Sequence, residues 1–208
     1  MSTQKILVLG ANGQVGRALC EILGEQAIGL SRAEADLSQP QSLSAVLEKY
    51  APRAVINAAA YTQVDKAETE RELATKINGE APGVLSRWCA QNEIPFVHYS
   101  TDYVFEGDGE NAWREDDAVA PLNFYGASKL QGEQNIQNAG GKFLIFRTSW
   151  VYDATGKNFF NTMLKLGAER ETLKIVNDQH GAPTYAPHLA QATIVALQNA
   201  LSSTRIAR

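Results

Sequence analysis

The chain has 208 residues, 44% of them hydrophobic, 20% charged and 8% aromatic, with a formal net charge of −4. That length carries a core without staples, and the composition excludes collagen-like, coiled-coil and disordered chains. A weakly acidic balance gives no global basic field, so neither nucleic acid nor an anionic membrane is expected as a partner.

Cys20, Cys89, His98, His180 and His188 show no metal-ligand spacing and no disulfide framework, which fits a reducing cytoplasm. The apolar run after Met1 is only Ile6 to Leu9 before Gly10, too short for a signal peptide core or a membrane span. Short apolar runs over 5–10, 27–30, 54–59, 95–100, 142–148 and 172–177 predict buried strands. Helical periodicity predicts helices over 15–23, 42–50, 67–91, 125–139, 158–168 and 188–201. The alternation indicates an α/β fold, a Rossmann-like doubly wound parallel sheet with helices on both faces. The loop-rich stretch 106–121 is expected to be an active-site lid.

The first strand runs into Gly10-Ala11-Asn12-Gly13-Gln14-Val15-Gly16 and then a helix. Glycines there permit a tight turn and close backbone approach to a pyrophosphate, while the helix N-terminus favours its negative charge. Alone the triplet is also what any tight strand-to-helix turn uses; strand and helix on either side make it a dinucleotide signal. With the second strand ending near Leu30, Ser31 or Arg32 falls where the ribose 2′ group would lie. A guanidinium there suits a 2′-phosphate and favours NADPH, with NADH the alternative; a solvated surface Arg is the competing explanation. Asp36 and Leu37 are expected near the adenine.

Tyr125-Gly126-Ala127-Ser128-Lys129 opens a helix, so Tyr125 and Lys129, four apart, share a face. A nearby ammonium is expected to lower the phenol pKa from its ordinary value of about 10 and make Tyr125 a proton donor in reduction. Thr101 lies at the C-terminal end of the fourth predicted strand, the edge where open parallel sheets bind ligands. Each residue alone has an ordinary structural explanation. Together, Thr101, Tyr125 and Lys129 resemble the catalytic set of the extended short-chain dehydrogenases/reductases. Asn78, in the helix before the fourth strand, either completes that set through a water relay to the Lys or is a buried structural Asn.

The segments NAAAYTQVDKAE from Asn57, HYSTDYVF from His98, PLNFYGASKLQGE from Pro121, FRTSWVY from Phe146 and NDQHGAPT from Asn177 resemble the dTDP-4-dehydrorhamnose reductases. The resemblance runs from Lys5 to about Leu201. It implies an enzyme of dTDP-L-rhamnose formation, reducing the C4 ketone of a nucleotide sugar with NADPH. It places Gly13, Gln14, Val15, Asp36, Leu37, Ala60, Tyr61, Thr62, Tyr99, Tyr125 and Lys129 at the cofactor, beside the turn glycines Gly10 and Gly16 and Arg32. It places Val64, Thr101, Asp102, Tyr103, Tyr125 and Trp150 at the sugar; Trp150 can also offer an aromatic face and an indole N–H to a hexose. Sugar-nucleotide dehydratases need an acid/base carboxylate pair after the Thr, whereas here Tyr103 follows Asp102, which favours simple carbonyl reduction.

Two features depart from that pattern. Family members run on into a further lobe over the sugar nucleotide, so residues 1–208 are expected to form one dinucleotide-binding domain with the catalytic residues, the substrate-binding lobe being largely absent and turnover weak. Some relatives dimerise through a carboxylate-bound Mg²⁺, but the matching positions are Ala18 and Pro187, so no metal is expected. A homodimer is compatible with the family, though no pattern here specifies one. A non-catalytic NADP-binding subunit, resembling the regulatory subunit of methionine adenosyltransferase, and another sugar-nucleotide reductase or epimerase are the alternatives.

Overall fold

A computed structural model describes residues 4–108 and 111–202. In chain order the elements are β1 (Ile6–Leu9), α1 (Gln14–Leu23), β2 (Ala27–Leu30), α2 (Leu43–Tyr50), β3 (Ala54–Asn57), α3 (Val64–Ala67), α4 (Arg71–Ala74), α5 (Ala81–Gln91) and β4 (Phe96–Thr101). They continue with α6 (Phe124–Ala139), β5 (Phe143–Thr148), β6 (Val151–Tyr152), α7 (Phe159–Glu169), β7 (Thr184–Tyr185) and α8 (Ala186–Ser202).

Strands β2-β1-β3-β4-β5 form a parallel sheet in that order. Successive side chains of a strand point to opposite faces, so the unbroken run Ile6-Leu7-Val8-Leu9 feeds two cores. Leu7 and Leu9 pack with Leu43, Leu47, Leu85, Phe96 and Ile136 on the face covered by α2, α5 and α6. Ile6 and Val8 pack with Leu19, Leu23, Val97, Ile194 and Leu197 on the face covered by α1 and α8. Both faces are covered, as the alternating pattern requires.

The helix expected over 67–91 is interrupted. Glu68 accepts from Phe124 N and Arg71, and Glu70 accepts from the Tyr61 hydroxyl, so residues 68–70 serve tertiary contacts before α4 begins. From Thr75 to Glu80 the chain winds as a π-helix. Pro82 has no N–H to return to the carbonyl of Asn78. α6 uses the freed space: a Cβ on Gly132 would lie 2.2 Å from that carbonyl oxygen.

The strand expected over 172–177 does not form. A strand exists only through its ladder, and this segment pairs with none, leaving Ile175 55% and Val176 66% exposed. The small parallel pair β6 and β7 was not legible in the sequence. The described residues of the expected lid, 106–121, do not line the cavity described below. Trp113 stacks on Phe105 with centroids 4.7 Å apart, and Arg147 donates to Glu115 O at 3.2 Å. Residues 109 and 110 of that stretch lie outside the described residues. No described helix is long and apolar enough to cross a membrane, and Cys20 and Cys89 are free.

Candidate active site

A cavity of about 750 Å³ runs along the C-terminal edge of the sheet, from the turn after β1 to the ends of β4 and β5. Its floor is the glycine turn. Gly10 adopts φ +78°, and a Cβ there would lie 2.8 Å from Ala59 N, so backbone meets backbone where a side chain has no room. Gly13 caps α1 without a side-chain hydrogen bond, leaving the helix N-terminus open to an anion. Gly10, Gly13, Gln14 and Val15 line the cavity, as do Arg32, Asp36, Leu37, Ala60 and Thr62.

Two expected cofactor residues do not line it. Gly16 lies beneath the turn, where a Cβ would come 2.2 Å from Gly10 O; it is glycine for packing. Tyr61 is buried, its phenol donating to Glu70 at 2.7 Å, because the Asn78 side chain clamps its backbone at both N and O, 2.9 and 3.0 Å away. Asn78 also donates to Ser128 at 3.0 Å, so among its hydrogen bonds it is a structural clamp.

Arg32 is 72% exposed on its side chain and only loosely paired with Asp36, Nε to Oδ1 at 3.4 Å. Ser31 is spoken for, since its N and Oγ both donate to Glu34 at 2.9 Å. Of the two residues considered for the 2′ position, Arg32 is the one able to turn toward a ligand.

At the far end of the cavity, Thr101, Asp102, Tyr103, Tyr125, Lys129, Tyr99, Val64 and Trp150 come together, as the motifs implied. Asn123 caps α6 by accepting from Gly126 N at 2.8 Å, which starts the helix just ahead of Tyr125. A Cβ at Gly126 would lie 2.1 Å from Tyr103 O, so glycine lets α6 seat against the end of β4. Tyr103 meets Tyr125 edge to face, centroids 5.8 Å apart. Thr101 Oγ1 donates to Asp102 at 3.1 Å and accepts from Tyr103 N at 3.2 Å. Burial raises the Asp102 carboxyl above its ordinary value, against hydrogen bonds from Thr101 and Ser149.

The expected lowering of the Tyr125 pKa is not found. Burial pushes the phenol up to about 12, against a hydrogen bond with Thr101, so it is protonated at neutral pH. Lys129 is buried, 2% exposed, and donates to Tyr99 O at 2.6 Å; burial lowers it to about 8, against the opposing charge of Glu133. The Lys129 amine is directed at Tyr99 O rather than at the phenol, so it does not offset the effect of burial there.

Trp150 follows β5 with φ +45°, a strained conformation for a bulky residue, and is 45% exposed. Gly181 packs on that ring, where a Cβ would come 2.9 Å from Cε2. The sequence reading missed Asn12, Arg17, Ser100, Thr148, Ser149, Gly156 and Lys157, all in the lining. Ser100 and Thr148 sit at paired strand ends, and among the described residues their buried hydroxyls lack hydrogen-bond partners, as suits a polar ligand. A rule that every strand's last residues face the ligand would have found them; nothing local marks Lys157.

A doubly wound sheet, a glycine turn at its first strand and a Thr, Tyr and Lys at one cavity define a Rossmann-fold site of the extended short-chain dehydrogenase/reductase class. The family model described as "RmlD substrate binding domain" matches residues 4–207. A dTDP-4-dehydrorhamnose reductase of Burkholderia thailandensis is 51% identical over 95% of this chain and 67% of its own length. That of Escherichia coli K12 is 45% identical over 97% of this chain and 70% of its own. The chain belongs to this family, the dTDP-4-dehydrorhamnose reductases. A solved structure of the Bacillus anthracis reductase in complex with NADP superposes with TM-score 0.90 at 37% identity, covering 97% of this chain and 73% of that one. The UDP-glucose 4-epimerase of Brucella ovis, at 18% identity and TM-score 0.80, shares the fold.

Proposed function

We propose that the chain catalyses NADPH-dependent reduction of the C4 ketone of dTDP-4-dehydro-6-deoxy-L-mannose to dTDP-L-rhamnose. The observation that carries this reading is the convergence of Thr101, Tyr125 and Lys129 with the glycine turn on one cavity. The open α1 N-terminus and the unpartnered hydroxyls of Ser100 and Thr148 suit a dinucleotide. A bound reduced nicotinamide supplies the hydride. In this reading residues 1–208 are one unit carrying the cofactor and catalytic residues, and Gly10, Gly13, Gln14 and Val15 hold the pyrophosphate. Arg32 meets the 2′-phosphate, and Asp36 and Leu37 border the adenine.

The Thr101 hydroxyl orients the ketone oxygen. Tyr125, protonated at neutral pH, gives its proton to the alkoxide developing there, and Lys129 holds the ribose. Val64, Tyr103 and Trp150 border the sugar, Trp150 with its apolar face. Asp102 followed by Tyr103 provides no second carboxylate for water expulsion, which supports reduction over dehydration.

The test follows NADPH absorbance with enzymatically generated ketosugar nucleotide. Loss of absorbance that needs both reactants, and that falls about 10²- to 10⁴-fold in Tyr125→Phe, is expected. Saturable NADPH binding without consumption would overturn catalysis and favour a nucleotide-binding regulatory subunit.

A further inference from the structure

The amine of Lys129 lies 2.6 Å from Tyr99 O and 3.3 Å from His98 Nε2. On the other edge of that ring, His98 Nδ1 lies 3.2 Å from Asn57 Nδ2. The Asn57 amide has no freedom to flip, because its Oδ1 accepts from Ala59 N at 3.2 Å. Its NH₂ therefore faces the ring. An NH₂ offers only donors, so Nδ1 must accept, and the single proton of the neutral imidazole sits on Nε2. A second ring proton would set donor against donor in a buried site, where His98 is stacked on Phe96.

His98 Nε2–H thus points at Lys129 Nζ. An ammonium has no lone pair to receive it, whereas a neutral amine does. With the amine, every link is satisfied: Ala59 N–H to Asn57 Oδ1, Asn57 Nδ2–H to His98 Nδ1, His98 Nε2–H to Lys129 Nζ, and Lys129 N–H to Tyr99 O. With the ammonium, the third link is lost. We propose that His98 is a positioning residue that stabilises the neutral amine of Lys129 over its ammonium, so that dinucleotide binding takes up a proton at Lys129.

The other groups facing this pair do not reverse the balance. Glu133, one turn on along α6, favours the ammonium, but Arg147 engages both its oxygens at 2.7 to 3.3 Å. From α6 comes the protonated Tyr125, and from β4 the Tyr99 phenol, bound to Thr193 at 2.8 Å and kept protonated by burial. Asp102, at the end of β4, spends its carboxylate on Thr101 and Ser149. Burial also keeps His98 neutral, well below its ordinary value, and drives Lys129 the same way. A dinucleotide brings hydroxyl oxygens and phosphate charge, both of which favour the ammonium. The uptake therefore rests on the proposed meeting of Lys129 with the cofactor ribose.

The first measurement is ¹⁵N NMR of the His98 ring in the ligand-free chain. A protonated Nε2 and a bare Nδ1 from about pH 6 to about pH 9 are expected; a protonated Nδ1 or an imidazolium in that range would overturn the proposal. The second is NADPH binding by calorimetry in two buffers of different ionisation enthalpy, repeated with NADH, which has no 2′-phosphate to titrate. Net proton uptake is expected at about pH 8.5, with affinity falling up to tenfold per pH unit above about pH 8. In His98→Gln, whose side-chain carbonyl can accept from Lys129, affinity should hold to about one pH unit higher. Binding that is independent of pH, or an unchanged profile in His98→Gln, overturns the proposal while the cofactor assignment stands. Absence of NADPH binding at every pH overturns both. Should His98→Gln fail to fold, the ring spectrum of the native chain decides.

Discussion

Arg17, on the first turns of α1, donates to Asp153 at 2.6 Å and ties the glycine turn to the segment that follows Trp150. The same junction is fastened by Gln14 Nε2 to Val151 O at 3.2 Å and Asn158 Nδ2 to Gln14 Oε1 at 2.9 Å. Residues 136 positions apart in the chain thereby join the glycine-turn end of the cavity to the end lined by Trp150. Arg17→Ala leaves the buried Asp153 carboxylate unpaired, which should lower stability by about 1–3 kcal/mol. Urea unfolding measures this, and Arg17→Ala with Asp153→Asn should lose less than the sum of the single changes. Additive losses would show that the pair is not coupled.

Gly16→Ala should destabilise the chain by about 1–3 kcal/mol and weaken NADPH binding, because its Cβ would press on Gly10 O at 2.2 Å and displace the turn. Gly24→Ala is the control, since a Cβ there meets nothing within 4 Å, although its φ of +52° carries a backbone cost of its own. Thermal unfolding and NADPH fluorescence titration read the two effects. Equal NADPH affinity in both variants would contradict the account of the turn.

Arg32→Ala should weaken NADPH about tenfold and leave NADH nearly unchanged, because an exposed guanidinium with only a loose partner is free to engage a 2′-phosphate. Fluorescence titration of both nucleotides decides. Equal losses for the two would reject that role.

Lys129 makes stability depend on pH in a defined sense. Its folded value, about 8, lies below its ordinary 10.5, so between these the unfolded chain binds more protons and stability rises with pH. Below about pH 8 the burial penalty is fully present, about 3 kcal/mol for a shift of that size. Lys129→Met removes the charge, so its unfolding free energy relative to the native sequence should be most favourable near pH 7 and fall as pH approaches 10. Urea unfolding at those two pH values checks this; a difference constant with pH would refute it. The same variant should lose NADPH affinity, the ammonium being the group proposed to meet the ribose.

Local patterns carried most of the fold. The run Ile6 to Leu9 followed by Gly10, Gly13 and Gly16 specifies strand, turn and helix within about ten residues, because hydrophobic periodicity and glycine backbone freedom act over that range. The spacing of Tyr125 and Lys129 put both side chains on one helix face for the same reason. What needed the tertiary structure is everything set by partners distant in sequence. Whether 172–177 becomes a strand depends on an available ladder rather than on Ile175 and Val176. Tyr61 was turned from the cavity by Asn78, seventeen residues away. The Tyr125 phenol was expected to fall toward neutral pH because a helix places a lysine near it. It rises instead, because burial outweighs its hydrogen bond with Thr101, and because the Lys129 amine is directed to Tyr99 O and His98. Spacing along a helix brings two groups to one face; the hydrogen bonds they make there, and hence their protonation, belong to the strands packed beneath.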